Sequence, residues 1–213
     1  GNIPSQLWPL LETMRDRAIA FVPASGRQCT TLSTMFGSHL QGMPIIAENG
    51  TYVVRDGVDI SSSTIDPNLT REVITGVRQL RNDGHDVGLV VATKSIAYLE
   101  RGDDPFVSHV ATYYHSHRIV KDLSEHTDDV IKLSIYDFRE ASEATYPTMQ
   151  RTAPEHQVIL ATPNWVDIMN PGVNKGSAVE AVQRDLGVTA DQTAIFGDFL
   201  NDLEMMPMAK WSF

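Results

Sequence analysis

Two carboxylates and an amide, Asp198, Asp202 and Asn201, follow closely on the short, mostly apolar run Thr193-Ala194-Ile195-Phe196, with Gly197 between. Such a run fits a buried parallel strand, and glycine permits a sharp exit from it. In open α/β sheets ligands bind beyond the carboxyl ends of the strands, so carboxylates placed there can hold a hard cation. The same residues also suit helix capping, with Asp198 before a helix over 201–206 and Asp202 in its first turn. A second group, Ser25-Gly26-Arg27, follows the apolar run over 18–22. There a hydroxyl can donate to a phosphoryl oxygen, glycine lets the backbone come close, and Arg27 can pair with an anion or clamp a neighbouring loop. A plain capping turn with a solvated arginine is the simpler use of that tripeptide. The third group is Lys175-Gly176, which opens a helix. A cation at a helix N-terminus is unfavourable unless an anion is also there, which makes Lys175 a reasonable phosphate ligand.

The elements that must carry these groups follow from periodicity. Leu7, Leu10, Leu11 and Met14 have helical spacing over 3–17, 18–22 reads as a strand, and 29–36 reads as a helix. Residues 44–54 read as two strands around Asn49-Gly50, a strong turn dipeptide, and Asp56-Gly57 marks a further turn. A polar break over 61–67 ends this part. Beyond it the spacing predicts a helix over 69–80, a strand over 86–93, a short helix over 95–101 and a half-exposed strand over 129–136. A helix over 140–150 and a strand over 157–162 follow. That succession suggests an α+β module whose antiparallel sheet is covered on one face, inserted into the first part. Val179, Val182 and Leu186 give the helix after Lys175 its buried face, and Gly187 its stop.

Composition narrows the partners. Hydrophobic residues at 42% and charged residues at 21% describe an ordinary globular protein, and 27 acidic against 17 basic residues leave a net charge of −10. Nucleic acid and anionic membrane surfaces are therefore not expected as partners, and an anionic substrate needs a local positive site. No stretch reaches the roughly 20 apolar residues of a membrane span, and no basic-then-apolar leader opens the chain, so a cytoplasmic protein is expected. A single cysteine, Cys29, excludes an internal disulfide and reads as packing. Of His109, His115, His117 and His126, the pair His115 and His117 would share one face of a strand, but no third ligand stands at convincing spacing, so surface or core histidines are expected rather than a metal site.

Taken in order, Ser25-Gly26-Arg27, Lys175-Gly176 and Gly197-Asp198 with Asn201-Asp202 resemble motifs two, three and four of the haloacid dehalogenase-like phosphatases, in particular Cof-type members with a type IIB cap. Asn49-Gly50 matches the turn that family carries after motif two. The resemblance implies an α/β fold: a Rossmann-like parallel-sheet core, residues 1–65 and 164–213, with an inserted α+β cap at 66–163. It also implies a Mg2+-dependent phosphomonoester hydrolase that works through an aspartyl-phosphate on a small phosphorylated metabolite, a sugar phosphate or phosphorylated cofactor. Ser25 and Lys175 would serve catalysis. Ser25, Gly26, Arg27, Asn49, Gly50 and Lys175 would bind the substrate, and Asp198, Asp202 and Asn201 would form the Mg2+ site. A monomer or weak homodimer is expected.

One departure matters. The family's motif one, Asp-x-Asp-Gly-Thr, which supplies the nucleophile, does not occur in this sequence, and neither Asp16 nor Asp56 sits in a matching position. Gly1-Asn2-Ile3-Pro4 resembles the family's sequence just after that motif. The expectation is a fragment of a longer, active phosphatase, itself inactive as it stands. The alternative is a noncatalytic module that binds a phospho-ligand or metal.

Overall fold

The computed structural model describes residues 3–213, so Gly1 and Asn2 of the Gly1-Asn2-Ile3-Pro4 run lie outside the described residues. Helices α1 (Leu7–Asp16) and α2 (Cys29–Phe36) lead into strands β1 (Pro44–Ala47), β2 (Tyr52–Arg55) and β3 (Val58–Ser62). Next come α3 (Pro67–Asn82), β4 (Val87–Thr93), β5 (Ala97–Leu99), α4 (Asp104–Ala111), β6 (His117–Ile119), β7 (Val130–Asp137), α5 (Thr145–Thr152), β8 (Gln157–Leu160) and β9 (Trp165–Met169). The chain closes with α6 (Lys175–Leu186), β10 (Ala194–Ile195) and β11 (Trp211–Ser212).

Strands β1, β2 and β3 form an antiparallel meander that is the middle layer of the core. Side chains alternate across a strand, and both faces are apolar here. Ile45, Ala47, Tyr52 and Val54 pack with Leu11, Leu32 and Phe36 of α1 and α2. Ile46 and Val53 point the other way, onto Ala178, Val179 and Val182 of α6. The result is a helix, sheet, helix sandwich. Its parallel pairings are Ala24 with Ile46 and β10 with β11.

The insert builds a six-stranded sheet in the order β6-β5-β4-β7-β9-β8, antiparallel except between β5 and β6. Val73, Ile74 and Val77 of α3 and Met149 of α5 cover one face, against Leu89, Leu133, Ile135, Val166 and Ile168. On the other face Phe106 and Val110 of α4 join Val90, Ala92, Leu99 and Trp165.

Several local expectations change. Residues 18–22 are not a strand: Ala18 leaves α1 with φ of 55°, and pairing begins only where Pro23 and Ser25 bond Ile46, each at 3.0 Å. The helix expected over 95–101 is β5, because Thr93 and Ile96 close a tight turn that folds Ala97–Leu99 back on β4. The first two residues of the polar break expected over 61–67 belong to strand β3, and the helix over 140–150 shifts to α5. Strand β7 is buried along its whole length rather than half exposed, since it lies mid-sheet with helices on one face and core loops on the other. Residues 201–206 form no α-helix; two 3-10 turns, Leu200–Asp202 and Met206–Met208, stand there, and Pro207 removes an amide donor that a helix would need. The division after residue 163 also moves. Trp165–Met169 pairs with both β7 and β8, so β9 is part of the insert's sheet.

Candidate active site

A cavity of about 810 Å3 lies between the core loops and the insert's sheet. Ser25, Gly26, Arg27 and Asn49 line it from one side of the core, and Lys175, Asp198, Asn201 and Asp202 from the other. Three groups far apart in sequence thus share one wall. Gly50 is not part of that wall. With φ of 96° it packs behind the site, where an added Cβ would fall 2.3 Å from the Asn174 carbonyl oxygen. Any larger residue would push the turn off the start of α6.

Lys175 stands in the first turn of α6, whose Asn174 and Ser177 cap each other reciprocally. Its ammonium reaches Asp202 Oδ1 at 2.5 Å, and both side chains are buried. A Cβ on Gly176 would lie 2.1 Å from the Glu204 carbonyl oxygen, so glycine is what lets the Asp202 loop approach this closely. Asp202 Oδ2 accepts from the amides of Asp198 at 3.0 Å and Phe199 at 3.3 Å. Burial pushes the Asp202 pKa up, but the bonds from Lys175 and these two amides outweigh it and hold the carboxyl below its ordinary value. The expected cation trio is therefore divided in its duties. Asp202 has both oxygens engaged, Asn201 donates to Asn49 Oδ1 at 3.1 Å, and Asp198 is exposed in the cavity wall.

In the Ser25-Gly26-Arg27 loop the Ser25 hydroxyl oxygen accepts from the Arg27 amide at 3.2 Å. Arg27 takes the clamping role of its two options: its guanidinium bonds the Thr112 carbonyl and lies 5.4 Å over the Tyr113 ring. Asn49 adopts φ of 58° in the turn after β1, is buried, and passes a bond on to Asp167 Oδ2 at 3.2 Å.

Sequence reasoning missed the opposite wall. Lys132, Ser134 and Asp167, from β7 and β9, face the cavity beside Tyr113, Tyr114 and Trp165. Lys132 is 2% exposed and Glu48 1% exposed, and they pair at 2.5 Å; Asp167 lies 3.9 Å from the same ammonium. Ser134 donates to Asp167 at 2.6 Å, and Tyr114 donates to Ser134 at 2.9 Å. Burial works against the charge on Lys132, yet Glu48, Tyr114 and Asp167 hold its pKa well above the ordinary lysine value. Burial pushes Glu48 up, and Lys132 offsets this without cancelling it. The signal was present. Lys132 and Ser134 interrupt an apolar strand at a spacing of two, which places both on one face.

The donors suit a hard cation. Asp198 is an oxygen ligand open to the cavity, and among the described residues no three of His, Cys, Asp and Glu form a closed cage. A hard cation that keeps most of its waters could use such a single open carboxylate together with oxygens of a bound anion. The four histidines form no cluster: His109 stacks on Tyr136 and His126 on Tyr98, His117 Nδ1 bonds the Tyr114 carbonyl, and His115 is exposed.

A family model described as haloacid dehalogenase-like hydrolase matches residues 1–213. The chain belongs to this family. It is similar to 5-amino-6-(5-phospho-D-ribitylamino)uracil phosphatase YbjI of Escherichia coli K12, at 27% identity over 208 residues, covering 95% of this chain and 74% of that one. The HMP-PP phosphatase of Cronobacter sakazakii is 22% identical over 202 residues, covering 93% of this chain and 72% of the relative. The solved structure of a sugar phosphatase of HAD subclass IIB superposes with a TM-score of 0.79 at 19% identity, covering 99% of this chain and 79% of that one. In this haloacid dehalogenase-like hydrolase the six-stranded sheet and its helices are the cap over the core. No helix among the described residues is long and apolar enough to cross a membrane.

Proposed function

We propose that this protein acts as a Mg2+-dependent phosphatase on a small phosphorylated metabolite, with residues 66–169 as the cap. The observation that carries the reading is the shared cavity wall, on which Ser25, Lys175 and Asp198 meet although 173 positions separate the first from the last. The Ser25 hydroxyl would bond a phosphoryl oxygen, and Lys175 would balance the charge of the group while Asp202 fixes the ammonium. Asp198 would hold Mg2+, with Asn201 and Asp202 shaping its loop. Bound there, the cation supplies charge neutralisation at the phosphoryl group. The aspartyl-phosphate route belongs to this proposal, and the attacking aspartate of the family's first motif is not among residues 1–213. The cap wall of Tyr113, Trp165, Ser134 and Asp167 would meet the leaving group, and it suits a polar or ring-bearing metabolite. Phosphorylated compounds of the kind named for the two phosphatase relatives are the substrate class to try first.

Hydrolysis of an aryl phosphate by a longer form of the protein that includes the family's first motif, followed with Mg2+ and with EDTA, tests the reading. Expected is EDTA-sensitive turnover that Asp198→Ala removes at least a hundredfold, with an unfolding midpoint close to native because the side chain is exposed. Binding of a phosphorylated ligand without turnover would instead indicate a binding module, and full activity in Asp198→Ala would remove that residue from the cation site.

A further inference from the structure

The loop Ser25-Gly26-Arg27 is held by its carbonyls. The Asn49 amide donates to Ser25 O, the Glu48 amide donates to Arg27 O, and the Lys132 ammonium donates to Gly26 O between them, each at 3.0 Å. Three consecutive carbonyl oxygens are thus drawn away from the loop's free side. Two of the three donors come from the core turn at 48–50, where Glu48 and Asn49 both have positive φ, 52° and 58°. Non-glycine residues enter that region at a cost, so two in succession mark a turn held by its surroundings. The third donor comes from the cap, 106 positions along the chain.

Lys132 also pairs with Glu48, and its ammonium lies 5.3 Å from the centre of the Tyr114 ring. Its charge therefore locks the strained turn and the Ser25 loop together. Neither oxygen of the buried Glu48 carboxylate has a hydrogen bond of good geometry, although Lys132 lies 2.5 Å from Oε2, so the pair leaves the carboxylate poorly satisfied. A buried ion pair is weak evidence for stability, because well-packed apolar residues can replace it at little loss. What an apolar replacement could not do is donate to Gly26 O.

We infer that Lys132 is a positioning residue: it completes the phosphate-binding loop from the cap side, so that the loop takes its ligand-ready shape only when the cap is seated. The inference rests on the phosphatase reading for the identity of the ligand, but not for the loop's geometry. It makes the Ser25 loop a shared property of cap and core.

The test uses the full chain, native and as Lys132→Met, Glu48→Gln and the double variant, with inorganic phosphate as the probe in calorimetry. Amide exchange over residues 24–28 and 112–116 is measured in parallel. The double variant removes both buried charges and guards against a failure to fold. It should keep a near-native unfolding midpoint, bind phosphate at least tenfold more weakly, and exchange faster at 24–28 than the native protein. Glu48→Gln, which leaves the bond to Gly26 in place, should lose less than threefold. Native phosphate affinity and native exchange in the double variant would overturn the inference. If the native protein binds no phosphate, the ligand reading fails while exchange at 24–28 still decides whether Lys132 shapes the loop.

Discussion

Two buried lysine–carboxylate pairs face the same cavity, and they differ in almost everything but distance. Lys175 and Asp202 both belong to the core, 27 positions apart, and the carboxylate keeps two backbone amides besides its lysine. Lys132 and Glu48 join the cap to the core, and neither carboxylate oxygen makes a hydrogen bond of good geometry. The first pair is solvated by its own loop. The second depends on β7 of the insert meeting the core turn at 48–50, which makes it the more informative about cap seating.

The largest expected effect breaks the second pair from its cationic side. Lys132→Ala leaves Glu48 and Asp167 facing each other in the interior and should destabilise the protein by about 3–5 kcal/mol in urea unfolding. Lys175→Met should lose less, about 2 kcal/mol in the same experiment, because the amides of Asp198 and Phe199 still bond the stranded Asp202. Equal losses would show that the backbone donors contribute little.

The smallest effect is one of sign. Asp202 titrates below its ordinary value in the folded protein, so its contribution is complete above about pH 4 and is lost as the pH falls through the folded pKa. Glu48 titrates above its ordinary value, so the folded state binds the extra proton. Its contribution is complete below the unfolded pKa, and it is lost as the pH rises through the raised one. Stability measured from about pH 3 to about pH 7 should therefore lose part of its acid-side fall in Asp202→Asn and part of its rise-side fall in Glu48→Gln. Shifts of the same sign in both variants would contradict this contrast.

Much of the core was legible because its determinants are local. The apolar spacing of α1 and α6, the Asn49-Gly50 turn and the Gly187 stop each act within a few residues. Ser25, Lys175, Asp198, Asn201 and Asp202 stood out singly only as polar residues near glycines, which also suit capping turns; their order along the chain, through the family resemblance, is what grouped them. Errors fell where a partner decided the outcome. Residues 95–101 became a strand because β4 offered an edge, and β7 was buried because both its faces were covered. Trp165–Met169 joined the insert by pairing with β7.

The sequence by itself therefore determined which short stretches could carry phosphate and cation chemistry, and in what order they occur. Only the tertiary structure decided that Arg27 clamps Thr112, that Gly50 stands behind the site, and that Lys132 closes the Ser25 loop from across the cavity. Spacing along a chain specifies which face of an element a side chain takes. Which other element that face will meet is set by long-range packing, and a bond spanning 106 positions leaves no periodic trace.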